Sequence, residues 1–417
     1  MKILCTYANA YGGGTESVLL NGLPFLNSIP GVRVTFADLY SRPSVSRKFE
    51  EMGVATWPNG GKTRASILSF RSGLRRKLDI AVAIPTHLRI ALQLRPAVCE
   101  SDVLYVHGYK DLVLCLAARL VTMRRSPPVV LHCHGLDERF VPPVLSTLAN
   151  RCARVIAISE DVRNRLVAIG VKPSIIRTIY DAVDHRRLEK ATLCPPSRPL
   201  PPTSGRRVIL VCPAAIRSLK GIHLASEALR HLPPDVDLWV TGDQSDPAAL
   251  DYLNCLVSQA ARDGVKERVY FIGLRDDLPT VMSLAYLICV PSLWREGFCL
   301  VAAEAMALGR PVVASSRGAL PEVVGESGLI FDPDQPGDLA RQLSALIADP
   351  TLAASLGASG RRSVVQRFTY DRWAREVITE LRAAVAANTY LKPLVSTDTM
   401  HPIERPVDPE RSSSRGS

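Results

Sequence analysis

The sequence predicts an α/β protein of two doubly wound, Rossmann-like domains facing each other across a cleft. Three observations predict it. The chain has 417 residues, enough for at least two domains of ~100–200 residues each. Short β-rich runs alternate along it with helical patterns, the mark of parallel strands joined by crossover helices. The alternation breaks at 192–206, where Pro195, Pro196, Pro199, Pro201 and Pro202 exclude both a helix interior and a central strand.

In the first half, strands are expected at Lys2–Thr6, Val32–Phe36, Val54–Thr56, Val103–Val106, Val129–His132, Arg154–Ala157 and Ile175–Ile179. They resume at Val208–Cys212, Val236–Thr241, Val269–Ile272, Leu287–Val290, Val312–Ala314 and Leu329–Phe331. Each is a short apolar run between helical patterns. Near the end, Trp373, Val377, Leu381 and Val385 recur at four-residue spacing, which predicts an amphipathic helix. The expected organisation is a first domain over 1–190, a Pro-rich linker over 191–206 and a second domain over 207–368. A helix over 369–390 is expected to pack back on the first domain. The tail, 391–417, is rich in Ser, Pro and Arg, lacks periodicity and is expected to be disordered.

Composition narrows the function. Hydrophobic residues at 47% and charged residues at 22% exclude a disordered or collagen-like chain. The net charge of +11 is uneven: residues 1–200 carry 28 basic and 15 acidic side chains, residues 201–417 carry 23 and 25. One lobe therefore faces something anionic. The ten cysteines form no C-x-x-C pair and no finger spacing, which predicts reduced thiols and a cytoplasmic protein. No run reaches the ~18 apolar residues of a membrane span. The apolar start at Met1–Cys5 passes into Tyr11-Gly12-Gly13-Gly14, a strand and turn rather than an export signal.

In such folds ligands lie outside the carboxyl ends of the strands, so residues just after strands are the candidates. Gly12, Gly13 and Gly14 follow the first strand and open a helix expected to begin near Ser17. Glycines let backbone approach a phosphate, and a helix N-terminus supplies free N–H groups. The run is neither a G-x-G-x-x-G fingerprint nor a Walker motif. Arg217 and Lys220 follow the first strand of the second domain, where a guanidinium fork and an ammonium can hold a diphosphate. The segment from Pro291 to Pro311 carries Glu296 in a loop and Glu304 well inside an otherwise apolar helix expected over Cys299–Leu308. A carboxylate there needs a partner, and a ligand hydroxyl pair would supply one. The first-turn amides of Phe298, Cys299 and Leu300 suit phosphate.

The pattern PS-x3-EGF-x5-EAMA-x-G-x-PVV, followed by Gly318 and Pro321-Glu322-Val323-Val324, resembles the retaining family-4 glycosyltransferases. The resemblance extends through Lys220-Gly221, Gly242-Asp243 and Val269–Gly273, and into the first half through Gly13-Gly14, His134-Gly135 and Ile158-Ser159-Glu160. It covers roughly residues 1–385 and implies the GT-B architecture. It also implies transfer of a hexose from a nucleotide-sugar, UDP- or GDP-linked, to a saccharide or lipid-linked acceptor. By resemblance, Glu304 binds the ribose hydroxyls, and Glu296 contacts the transferred sugar and steadies its developing positive charge. Lys220, an arginine and the amides of Phe298, Cys299 and Leu300 would hold the diphosphate. Gly13 and Gly14 would close over the phosphates, His134 would face the sugar, and Gly273-Leu274-Arg275 would lie against the base. The implied mechanism is front-face, with no metal and no cofactor; the nucleotide-sugar is a co-substrate.

Several positions depart from the family pattern. Ala215 stands where the phosphate arginine is usual, leaving Arg217 two residues later; Cys299 replaces a glycine; Asp181-Ala182-Val183-Asp184 replaces Asn-Gly-Val-Asp. Two rivals are an epimerase or hydrolase on the same fold and a catalytically silent nucleotide- or lipid-binding scaffold. His132 and His134 share one strand face, but two residues fall short of a zinc site, and Asp332-Pro333-Asp334 reads as a turn. The acids Glu16 and Asp111 read equally as acceptor contacts or surface groups. Residues 62–95 carry eight basic side chains against Asp79, with Ile67, Leu68, Phe70, Leu74 and Leu78 forming an apolar face. That suits peripheral contact with an anionic inner membrane face. Nucleic acid is not expected, since no recognition helix, finger or aromatic-interleaved basic strand is present.

Overall fold

The computed structural model describes residues 1–8, 14–39, 43–57, 88–120, 127–136, 144–203, 205–211 and 215–390. Gly13, most of the basic stretch (62–87) and the tail (391–417) lie outside the described residues. The first sheet comprises β1 (Lys2–Tyr7), β2 (Arg33–Asp38), β3 (Ala55–Thr56), β4 (Val103–Val106), β5 (Val129–Cys133), β6 (Arg154–Ala157) and β7 (Ile176–Thr178). Its order is β3-β2-β1-β4-β5-β6-β7, all parallel. The second comprises β8 (Arg207–Val211), β9 (Val236–Thr241), β10 (Val269–Gly273), β11 (Leu287–Val290), β12 (Val312–Ser315) and β13 (Leu329–Phe331). Its order is β10-β9-β8-β11-β12-β13, again parallel. Both sheets therefore step outward from their first strand and then reverse, which opens a crevice at the switch between β1 and β4 and between β8 and β11.

Helices cover both faces of each sheet. The first half contributes α1 (Gly14–Asn27), α2 (Pro43–Glu51), α3 (88–100), α4 (Tyr109–Leu120), α5 (Leu145–Ala149), α6 (Glu160–Ala168) and α7 (His185–Ala191). The second contributes α8 (Ile222–Ala228), α9 (Pro247–Arg262), α10 (Leu278–Leu284), α11 (Leu300–Ala307), α12 (Leu320–Val324), α13 (Asp338–Ala348), α14 (Pro350–Arg367) and α15 (Tyr370–Tyr390).

Burial on both faces follows from the period-two alternation of side chains. In the first sheet Leu4, Leu104, Val106, Leu131 and Val155 face one way, toward α3, α4 and α6. Ile3, Cys5, Tyr105, Val130 and Ile156 face the other, where α1, α2 and α15 close the layer. Trp373, Val377 and Leu381 of α15 belong to this second cluster, so the last of the described helices seals the first sheet.

The two halves also meet directly. The carboxylate of Glu322, on α12, accepts hydrogen bonds from the backbone N–H of Glu160 (2.8 Å) and Asp161 (2.7 Å) at the start of α6. Tyr180 donates its hydroxyl to the same group at 3.1 Å. Arg295 pairs with Asp161 nearby. These contacts hold the carboxyl ends of the two sheets toward one another.

Candidate functional site

A cleft of about 570 Å³ opens between the sheets and receives the loops that follow their strands. On the second-domain side, β11 runs into Pro291 and Ser292, a loop carries Glu296, and α11 begins at Leu300. Lys220 arrives from the turn after β8. Its Nζ donates to Glu296 Oε1 at 2.7 Å, and Ser292 Oγ lies 2.8 Å from that same oxygen. Burial alone would lower the Lys220 pKa, but the charge and hydrogen bond of Glu296 outweigh it, and the net shift is upward. Gly221 makes this approach possible: its φ is +67°, and a Cβ there would sit 1.8 Å from the Pro291 carbonyl oxygen.

The start of α11 is open. No side chain caps it, and its preceding residue, Cys299, is the one non-glycine residue at positive φ (79°) among the described residues. Burial, reinforced by the Glu296 charge, pushes the Cys299 thiol up to about 12, so it stays protonated beside the phosphate-type donors. Phe298 is buried edge-on against Phe368, with ring centroids 5.1 Å apart, which fixes the loop from behind. Further along the helix, the Glu304 carboxylate lies on the cleft wall with no side-chain hydrogen bond among the described residues. Burial raises its pKa to about 7, opposed by the Arg187 charge.

At the far end of this half, Leu274 is 62% exposed on the cleft rim. Beneath it Arg275 is buried and grips Asp277 with two hydrogen bonds of 2.8 and 2.6 Å. The Pro-rich connection reaches this loop as well. Ser197 bonds Asp276 and Asp277, and Arg198 donates to the Leu274 carbonyl. Burial would raise the Asp277 pKa, but the Arg275 and Ser197 bonds prevail and hold it at about 2.

The first domain supplies Gly14, Thr15 and Ser17 of α1, His134 and Leu136 after β5, Ile158 after β6, and Asp181 after β7. Gly14 faces the opposite helix start: a Cβ on it would lie 3.5 Å from Leu300 Cδ1. The halves approach closely at Gly297, where a Cβ would meet the His134 carbonyl oxygen at 2.4 Å. No residue with a side chain fits there without separating the domains. Behind His134 stand two further histidines. His107 Nδ1 lies 3.0 Å from His134 Nε2, and His132 Nδ1 lies 2.5 Å from the Tyr105 hydroxyl. Burial first, and the neighbouring imidazoles second, push His107 and His132 well below the usual histidine range. Glu16 and Asp111 are both buried rather than surface groups. Burial lifts Asp111 to about 8 against a hydrogen bond from the His107 N–H.

Glu296, Lys220, Phe298, Cys299, Leu300, Glu304, Leu274, His134 and Gly14 thus line one cleft. Arg217 does not. It sits in extended conformation (φ −141°, ψ 148°) just before the turn Ser218–Lys220, which swings Lys220 inward. The Arg217 guanidinium turns outward instead to Asp246, the capping residue of α9, at 2.5 Å. Arg217, expected among the diphosphate-binding residues, thus stands outside the cleft lining, paired with Asp246. Sequence reasoning missed His107, Ser292 and Arg295. A signal for His107 exists: Tyr105-x-His107 ends β4 much as His132-x-His134 ends β5.

Two family profiles match the chain: Glycosyltransferase Family 4 over residues 13–187 and Glycosyl transferases group 1 over residues 206–349. The chain belongs to the family-4 glycosyltransferases, which have the GT-B fold. It is 33% identical over 239 residues to the MMP alpha-(1->4)-mannosyltransferase of Mycolicibacterium hassiacum, covering 55% of this chain and 56% of that one. The chain thus spans about half the length of this curated relative. Alpha-maltose-1-phosphate synthase of Mycobacterium tuberculosis is 28% identical over 365 residues, 78% of this chain and 90% of that protein. Among solved structures, Anabaena HepE in complex with UDP superposes with a TM-score of 0.73 at 23% identity, covering 92% of this chain and all of that one. Among the described residues no helix is long and apolar enough to cross a membrane.

Proposed function

We propose that the protein is a retaining, metal-independent hexosyltransferase. It takes a hexose from a UDP- or GDP-sugar and passes it to a saccharide or lipid-linked glycan acceptor. One observation carries the reading: Lys220, Glu296, the uncapped start of α11 and the unpartnered Glu304 carboxylate meet in a single cleft. Glu304 binds the ribose hydroxyls, and Lys220 with the amides at Phe298–Leu300 binds the diphosphate. Glu296 holds Lys220. With donor bound, Lys220 turns part of its charge to the phosphates, and Glu296 faces the sugar. The bond between the anomeric carbon and the diphosphate oxygen breaks, the acceptor oxygen joins that carbon on the same face, and its proton passes to the departing diphosphate. No protein base is needed; catalysis comes from placed positive charge and orientation. The neighbour bound to UDP supports this donor class, and the relatives named above as a mannosyltransferase and a maltose-1-phosphate synthase support sugar transfer.

Thermal melting with UDP, GDP, ADP and their sugar conjugates tests the reading, since a bound ligand raises the melting temperature by mass action. One nucleotide is expected to stabilise the wild type and to lose most of that effect with Glu304→Ala. Stabilisation by none would reject the donor site. Binding without turnover would move the reading to the scaffold, and nucleotide-sugar hydrolysis without acceptor to a hydrolase.

The cytoplasm, at the inner membrane face, is the proposed place of action. Residues 62–95 are the proposed contact, and the described end of this stretch carries apolar and basic side chains together. Leu88 and Leu92, about half exposed, stand on α3 beside the exposed Arg89 and Arg95. The protein is expected to sediment with anionic vesicles and not with neutral ones; equal sedimentation with both rejects the contact.

A further inference from the structure

We infer that His107, His132 and His134 form a binding site for a divalent metal ion of the zinc class, in the first-domain floor of the cleft. The fold assembles it. β4 and β5 are parallel neighbours with Tyr105 opposite Val130 and Val106 opposite Leu131. Alternation along each strand then sends Tyr105, His107, His132 and His134 to one face. One ring nitrogen from each histidine lies within 4.8 Å of the others. His107 Nδ1 and His134 Nε2 are 3.0 Å apart. Two nitrogens bound at ~2.0–2.1 Å in a tetrahedral shell lie about 3.3 Å apart, so this pair needs to spread by only a few tenths of an ångström.

The polar atoms of the cluster are short of partners. His107 Nε2, His132 Nε2, His134 Nδ1 and Asp181 Oδ1 are buried without a hydrogen bond. A bound ion would give His132 Nε2, whose other ring nitrogen is held by Tyr105, the partner it lacks, and would take the place of the His107 Nδ1–His134 Nε2 contact. Stacking alone, with the His132 and His134 ring centroids 4.4 Å apart, does not satisfy them. An outer shell is in place too. The Tyr105 hydroxyl holds His132 Nδ1 at 2.5 Å, and Asp181 Oδ2 stands 3.6 Å from His134 Nδ1. A carboxylate or hydroxyl behind a ligating imidazole is the usual means of fixing its ring.

Three imidazoles and no carboxylate in direct reach of all three favour zinc, cobalt, nickel or copper over magnesium or calcium. His134 borders the cleft, which gives the ion an entry path. The site is distinct from the phosphate-binding half. A metal held there would take a ring nitrogen of His134 out of the cleft.

The test is titration of metal-stripped, full-length protein with Co2+, after alkylating the exposed Cys99, Cys194 and Cys255. One equivalent is expected to produce a visible ligand-field band that one equivalent of Zn2+ abolishes. Magnesium should not compete. His107→Gln and His132→Gln, checked for folding by circular dichroism, are each expected to weaken binding at least tenfold. Absence of the band in the wild type overturns the site, whatever the variants do. So does a band that persists unchanged in both folded variants. Nucleotide-induced stabilisation, measured on the same samples, reports on the donor site separately. The metal site therefore stands or falls independently of the transferase reading.

Discussion

The two sheets share one strand order around their switch points, yet they furnish the cleft in different ways. The second domain places Ser292, Glu296, Phe298, Leu300 and Glu304 in one segment after β11 and adds Lys220 from the turn after β8. The first collects His134 from beyond β5, with His107 behind it, Ile158 from beyond β6 and Asp181 from beyond β7. One half is a continuous stretch of chain folded round a helix start. The other is a set of single residues gathered by strand pairing. A site of the first kind survives in sequence as a pattern; a site of the second exists only once the sheet has formed.

The proposed division of labour can be broken by paired substitutions. Lys220→Ala is expected to lower kcat roughly a thousandfold, the scale of losing a preorganised charge, and to shrink nucleotide-induced stabilisation. His134→Ala is expected to lower kcat about a hundredfold through lost positioning, while nucleotide stabilisation stays near the wild-type value. If His134→Ala abolishes nucleotide stabilisation as Lys220→Ala does, the two halves do not act separately.

A pH series sharpens the same contrast. Glu304 in the free protein has its pKa raised to about 7 by burial. Accepting two ribose hydroxyls requires the carboxylate, so binding below pH 7 must release a proton. Nucleotide affinity is therefore expected to fall by up to about tenfold for each pH unit below 7 and to level off above it. In Glu304→Gln, calorimetry should find weaker binding with that slope removed. A wild-type slope that persists in the variant assigns the proton to another group.

The smallest effect concerns the helix start itself. Cys299 holds φ 79° where glycine would be unstrained. Cys299→Gly is expected to raise stability by about 1 kcal/mol in urea unfolding, the relief of strain exceeding the added freedom of the unfolded chain. A loss of stability would mean that thiol packing outweighs backbone strain.

The same contrast explains what was legible beforehand. All thirteen strands found among the described residues were expected from apolar runs, with ends shifting by a residue or two, as when Ile175–Ile179 becomes Ile176–Thr178. Buried parallel strands announce themselves by composition. Helix starts were less exact, since α1 opens at Gly14 rather than near Ser17. In the site, Glu296 and Glu304 were legible because their loop and helix are contiguous. Arg217 was misplaced because a charge two residues from a cleft residue can point away from it, and only the tertiary position of Asp246 decides. His107 escaped notice because its neighbour His134 is 27 residues distant. The Glu322 contact with α6 joins two segments, at Glu160 and Glu322, that the family pattern carries separately.

The seal of α15 over the first sheet has a consequence for how the protein is made. Trp373, Val377 and Leu381 cover Tyr105, Val130 and Ile156, but a ribosome delivers the sheet long before it delivers the helix. The domain that is synthesised first is thus the one completed last. The second domain has its strands and flanking helices in hand by Arg367, while the β4–β6 part of one face of its elder neighbour still waits in water for its cover.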